Sequence, residues 1–293
     1  MEHLVNLSSA AQAFHARGQY LTLAGLQVFV FDTGPANSPD AVLVLHGFPS
    51  SALDFHHILP ALSARHRVVL IDFPGVGFSD KPALFSYSLH EHADGVLMAL
   101  RSLGVQSVQI VAHDMGTSVA CELVARRERG LLPVAVRGLI LMNGSVHIEL
   151  AQLTPSQQIL RSPLGPILAQ LSRRSVFLAQ LRRILGRPVS EDDLADMWRL
   201  LQHKDGRLRL PQSIHYVAER KRFWHRWIGA LTRLDVPTLI LWGDRDPVAV
   251  PAIAERLAAE IPGARLQWLD GVGHYPQLED PDRVAARLLD FLS

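Results

Sequence analysis

The apolar residues of this chain follow two rhythms. Short runs rich in Val, Ile and Leu occupy residues 41–45, 67–71, 107–111, 136–142, 236–242 and 265–269. Runs with so little polar alternation predict strands covered on both faces. Between them lie longer stretches with apolar residues three and four apart. These predict helices over 53–63, 90–103, from Gly116 onward, 252–259 and 281–292. Gly104 closes the second helix, and Asp280 with Pro281 reads as the N-cap and first residue of the last. Nearer the start, 8–17 reads as a short surface helix capped by Ser8 or Ser9. Residues 20–23 and 26–31 read as two strands joined by a tight turn at Ala24-Gly25, and 35–40 as a loop. Strands and helices in alternation imply an α/β fold with a doubly wound, mostly parallel sheet.

From residue 146 to 232 the strand rhythm stops. Helical spacing takes over at 159–171, 176–185 and 190–201, punctuated by Pro155, Pro163, Pro166, Pro188 and Pro211. Ser190-Glu191-Asp192-Asp193 puts acids in a first turn, where the helix N-terminus favours them. The expected organisation is a core over 1–145, a helical cap inserted at 146–232 above the strand ends, and the rest of the core over 233–293. The cap holds fourteen Lys/Arg against seven Asp/Glu. A solvated helical surface is the simpler account of that excess; attraction to anions or an acidic membrane surface is the other.

Open parallel sheets place their sites beyond the carboxyl ends of the strands, and the polar residues that matter lie there. Ala112-His113-Asp114-Met115-Gly116 joins a strand to a helix. A nucleophile on so sharp a turn needs small neighbours, because the backbone folds back on itself. Alone the string is weak, since Asp and Gly are common turn residues. Two later strand ends strengthen it. One carries Gly243-Asp244-Arg245-Asp246, and the other Gly271-Val272-Gly273-His274, a glycine-rich loop suited to a mobile general base. Nucleophile, acid and histidine then follow in the order Asp114, Asp246, His274. Asp246 is preferred to Asp244 because the acid of such loops usually stands three residues after the glycine. His46-Gly47-Phe48-Pro49 closes the strand at 41–45, where one N–H of an oxyanion hole is expected. Met115 and Phe48 are the candidate backbone donors, and the loop allows a cis bond before Pro49.

Composition narrows the partners. The 293 residues are 48% hydrophobic, which suits one large domain or a domain with an insertion. A net charge of +1 gives no overall attraction to nucleic acid. The single cysteine, Cys121, excludes an internal disulfide and reads as a small residue on the packed face of the helix after Asp114. No apolar run reaches the roughly 18–20 residues of a membrane span, and the first six residues lack the features of a signal peptide. A cytoplasmic protein is expected.

The segments His46-Gly47-Phe48-Pro49, His113-Asp114-Met115-Gly116, Gly243-Asp244-Arg245-Asp246 and Gly273-His274 resemble the epoxide hydrolase and haloalkane dehalogenase branch of the α/β-hydrolase superfamily. The resemblance covers nearly the whole chain. At the entrance to the cap Asn143-Gly144-Ser145, and within it Asp196-Met197-Trp198, Asp205-Gly206 and the stretch 216–231, are similar to mesoderm-specific transcript proteins, as are residues 274–281. The resemblance implies an α/β-hydrolase fold, an Asp114–Asp246–His274 triad, and Tyr216 as a proton donor from the cap. Pro49, Trp198 and His203 are candidate substrate-binding residues, and His203 or His147 a candidate second acid. No metal or cofactor is expected.

A carboxylate nucleophile displaces a leaving group at saturated carbon and becomes an alkyl ester. Related dehalogenases hold the halide with a Trp after the nucleophile and often an Asn after the His-Gly pair. Met115 and Phe48 stand at those positions, and neither side chain donates. The expectation is therefore an epoxide hydrolase that makes vicinal diols from a small-molecule epoxide or other alkylating substrate. A hydrolytic haloalkane dehalogenase is the alternative enzyme. A non-catalytic binding or regulatory protein is the alternative of another class.

Overall fold

A computed structural model describes residues 6–35 and 38–293. The reading of the extreme N-terminus, and part of the 35–40 loop, lie outside the described residues. The chain opens with helix α1 (Ser9–Arg17), whose first turn is capped by Ser8, and a hairpin of β1 (Gln19–Leu23) and β2 (Leu26–Thr33). The hairpin turns at Ala24 and Gly25, both at positive φ. Then come β3 (Asp40–Leu45), a 3₁₀ turn (Ala52–Phe55), α2 (Leu59–Ser63), β4 (Val68–Ile71), α3 (Leu89–Ser102), β5 (Ser107–His113), α4 (Met115–Glu128) and β6 (Ala135–Met142). The chain closes with β7 (Thr238–Gly243), α12 (Pro251–Glu260), β8 (Arg265–Leu269), α13 (Pro276–Glu279) and α14 (Pro281–Leu292).

Among the described residues eight strands form one sheet in the order β1-β2-β4-β3-β5-β6-β7-β8. β1–β2 and β2–β4 pair antiparallel, and every other pair is parallel. Side chains alternate faces along each strand. Leu43, Leu45, Ile110, Ala112, Leu139 and Leu141 join one apolar cluster, while Val42, Val44, Val111, Ile140, Leu239 and Leu241 join another. Both faces are thus buried, as the apolar runs predict. Register brings the strand ends together: Leu45 pairs with Ala112, His113 with Met142, and Met142 with Leu241.

Between β6 and β7 the described chain is helical: α5 (Pro155–Leu160), α6 (Gly165–Leu171), α7 (Arg174–Ile184), α8 (Glu191–Gln202), a 3₁₀ turn (His203–Arg209), α9 (Leu210–Ser213), α10 (Tyr216–Arg222) and α11 (Trp224–Leu231). α11 packs on α4. The buried Glu122 carboxylate fastens that contact by accepting from Arg226, Arg126 and the Trp227 indole.

Three helices depart from expectation. The helix expected over 53–63 divides, because Pro60 lacks an N–H and sits in the first turn of a new helix. The one over 159–171 divides for the same reason around Pro163 and Pro166. Asp280 holds the N-cap position of α14, but its side chain makes no cap. Its carboxylate instead accepts from Arg187 at 2.6 Å and Arg283 at 2.8 Å.

Candidate active site

Only Asp114 separates β5 from α4, and the turn forces its backbone to φ 44° and ψ −111°. Such a conformation costs a non-glycine residue on the order of 1–3 kcal/mol. The surroundings hold it there. A side chain at Gly116 would meet the Leu45 carbonyl oxygen at 2.4 Å, and one at Gly47 would meet the Asp114 Cβ at 2.9 Å. The Asp114 carbonyl accepts from Thr117 Oγ1 at 2.6 Å and from Arg220 Nη2 at 3.0 Å. The Asp114 carboxylate takes the Phe48 N–H on Oδ2 at 2.9 Å. Met115 begins α4, so no carbonyl of that helix can accept its N–H. Its side chain is buried in the core. The Phe48–Pro49 bond is cis.

His274 Nδ1 lies 2.7 Å from Asp246 Oδ2. That carboxylate is fully employed. Its Oδ1 accepts from the N–H groups of Val248 and Ala249 at 2.7 and 3.0 Å, and Oδ2 also takes Asn143 Nδ2 at 2.8 Å. Asp244 does other work, accepting the Gly271 N–H at 2.6 Å. Burial opposes a charge on His274, but the Asp246 and Asp114 carboxylates outweigh it and raise the imidazole to about 9. Burial likewise opposes ionisation of Asp114, while His274 and Arg220 hold its carboxyl below the usual range. The resting pair is imidazolium and carboxylate.

The loop bearing His274 is pinned rather than free. Glu279 Oε2 accepts from the N–H groups of Gly273, Gly186 and Arg187 at 2.7, 2.7 and 2.8 Å. The His274 N–H donates to Ile184, tying the loop to the end of α7. His113 Nε2 faces the His274 carbonyl at 2.7 Å. Burial lowers His113 to about 4, so it is a neutral ring donating through Nε2.

Tyr216 is buried, its ring 5.5 Å from that of Phe48 and 4.5 Å from the Arg220 guanidinium carbon. Burial and the Asp114 charge push its phenol well above the ordinary value, against the opposing effect of Arg220 and the Gln157 side chain. Gln157, Phe48, Pro49 and His274 line a cavity of about 390 Å³ whose other walls are largely apolar side chains of α5, α6 and α7. Trp198 is not in that wall; it packs on Phe177, which is, with ring centroids 5.4 Å apart. His203 is buried at the start of its 3₁₀ turn and does not line the cavity. His147 lies between Glu149 and Glu260, 2.9 Å from each. Among the described residues His56, His57 and Asp193 are spaced closely enough to hold a metal ion. None of the three lines the cavity.

Two residues absent from the sequence reading of the site are central to this geometry. Arg220, fully buried, bonds Ser118 Oγ at 2.8 Å and the Asp114 carbonyl, with Asp114 Oδ1 at 3.6 Å. Its place one helical turn after Tyr216 was the available clue. Asn143, at φ 42°, joins three strand ends. It donates to Asp246 and to the Gly273 carbonyl and accepts the Gly243 N–H at 3.0 Å.

A carboxylate on a strand-to-helix elbow, beneath inserted helices and beside a His–Asp pair, defines a class. The chain belongs to the α/β-hydrolase family, whose model, described as alpha/beta hydrolase fold, matches residues 40–281. It is 40% identical to LipZ of Mycobacterium tuberculosis over 288 residues, covering 97% of this chain and 99% of that one. It is 37% identical to the mesoderm-specific transcript protein of Mus musculus, covering 94% and 85%. Haloalkane dehalogenase DbeA from Bradyrhizobium elkani shares the fold with a TM-score of 0.81 at 23% identity, over 94% of this chain and 97% of that one.

Proposed function

We propose that the protein is an epoxide hydrolase working through a covalent ester of Asp114. The observation that carries the reading is the hydrogen bond from the Phe48 N–H to Asp114 Oδ2. In an ester-forming mechanism the oxygen that gains negative charge in the second step belongs to the nucleophile itself. A backbone donor is already directed at it.

In the first step Asp114 Oδ1 attacks an epoxide carbon. The carbon–oxygen bond of the ring breaks, and the departing alkoxide takes the Tyr216 proton. In the second step His274 removes a proton from water, and the hydroxide adds to the ester carbonyl. The resulting oxyanion at Oδ2 is held by the Phe48 N–H, with the Met115 N–H as second donor. Collapse releases the diol: the proton on His274 passes to the leaving oxygen, and the carboxylic acid left on Asp114 gives its proton to His274, which restores the carboxylate and the imidazolium. Once Asp114 is esterified its charge is gone, so His274 loses one of the groups that raise it. The imidazolium gives its proton, by way of water, to the Tyr216 phenolate, which restores the phenol and leaves His274 a free base when a base is needed.

The leaving group favours an epoxide over a haloalkane. The two fully buried indoles donate elsewhere, Trp227 to Glu122 at 2.9 Å and Trp242 to the Ala249 carbonyl at 2.8 Å. Phe48 and Met115 offer a halide no side-chain donor. The test is a His274→Gln variant incubated with styrene oxide and with chloroalkanes. The reading expects an adduct of epoxide mass on Asp114, and diol release only by the wild type. Halide release without diol would replace it with dehalogenation. No adduct from any electrophile would end the catalytic reading.

A further inference from the structure

Among the described residues ten large apolar side chains are exposed, and five fall between 159 and 176: Ile159, Leu164, Ile167, Leu171 and Val176. They lie on α5, α6 and the start of α7. Leu171, 71% exposed, and Val176, 49% exposed, also line the apolar cavity, so they mark its mouth. Scattered apolar residues on a surface mean little, but a cluster at the mouth of an apolar cavity marks an interaction site.

The charge around this rim has one sign. From residue 150 to 189 the chain contains six arginines and no Asp or Glu. Arg161, Arg173, Arg174 and Arg183 are exposed, and none forms an ion pair with a described carboxylate. The other two arginines of the stretch are matched, Arg182 to Glu191 and Arg187 to Asp280. Exposed aliphatic side chains interspersed along these helices with unmatched arginines are suited to an interface with hydrocarbon on one side and negative charge on the other.

We infer that the α5–α7 rim docks on an anionic lipid surface, with the cavity mouth facing the membrane and open to lipophilic molecules dissolved in it. The aliphatic side chains enter the headgroup boundary, and the arginines pair with lipid phosphates. The docking itself does not depend on the epoxide reading; that reading only supplies its use.

The test is flotation of the full chain with vesicles of equal parts phosphatidylglycerol and phosphatidylcholine, beside pure phosphatidylcholine. The comparison variants are Leu164→Asp/Ile167→Asp and Arg174→Glu/Arg183→Glu, at positions that do not line the cavity. Each arginine near such a surface contributes about 1 kcal/mol, so the double charge reversal should weaken binding at least about 30-fold. The aspartate pair should abolish it. Raising salt from about 0.1 M to about 1 M should release the wild type, because the screening length falls from about 10 to about 3 Å. Turnover of a short water-soluble epoxide should be unchanged in both variants, which also shows that they are folded. The inference is overturned if the wild type does not float with anionic vesicles, or if both variants float equally well. It is also overturned if light scattering shows a dimer that the aspartate pair dissociates while vesicles go unbound. Vesicle binding without epoxide turnover would sink the reaction reading and leave the docking intact.

Discussion

Replacing Tyr216 by phenylalanine removes one hydroxyl and keeps the ring against Phe48 and Arg220. The structural cost is small. The Gln157 side chain that acts on the hydroxyl is only partly buried on the cavity wall and can turn to water, so the loss is about 1 kcal/mol. The catalytic cost is larger. Burial and the Asp114 charge keep the phenol protonated at every working pH, and the Arg220 guanidinium opposes them, easing phenolate formation. An alkoxide forced to leave without that proton should slow alkylation about 10²–10⁴-fold, or roughly 3–5 kcal/mol. The assay is rapid-quench detection of the Asp114 adduct with an epoxide and with an alkyl sulfonate, whose leaving group needs no proton. Tyr216→Phe should lose the epoxide rate and keep the sulfonate rate within a few-fold. Equal losses on both would mean that Tyr216 only shapes the site. No loss on either would assign the proton to another group.

Further outcomes follow from the charges at the site and at the seam between the inserted helices and the sheet. The ring signals of His274 should titrate near pH 9 in the resting enzyme. Asp246→Asn should bring that value down and slow ester hydrolysis about 10³–10⁴-fold, whereas an unmoved titration would separate the two residues. The sign is that of a raised base: the stabilisation from the pair is complete below pH 6.5 and is lost as pH rises through about 9. Glu122→Ala strands Arg126, Arg226 and His90 around a buried vacancy and should cost about 3–5 kcal/mol in urea melts. Glu122 is held below its ordinary 4.5 by these partners despite burial, so its contribution is present above that pH and is lost on acidification. A cost under about 1 kcal/mol would show that the cluster does not hold the inserted helices to the sheet.

The central strands β3 to β7 were readable because each is a largely apolar run that burial on two faces explains. Residues 265–269 needed no revision at either end. The strand-end residues were readable because chain order alone suggests a role for Asp114, Asp246 and His274. Helix interruptions were less so: periodicity continues through Pro60 and Pro163, while the backbone cannot. The supporting residues were hidden for a different reason. Arg220 looks like one more charge on a basic helix until it is seen against Ser118, 102 residues away in sequence. Asn143 and Glu279 act on groups that only folding brings together. The loop around His274, rich in glycine and expected to move, is fixed by the Glu279 side chain, whose partners no local pattern announces. Clustering of apolar residues on the α5–α7 rim was equally invisible, because exposure is not a property of sequence spacing.

The covalent mechanism stands or falls on where the water oxygen goes. In a single turnover of excess enzyme with styrene oxide in heavy-oxygen water, the label should enter the Asp114 carboxylate, and the first diol released should carry none. Label found in that first diol, with Asp114 unlabelled, would mean direct hydration of the epoxide and would contradict the covalent mechanism.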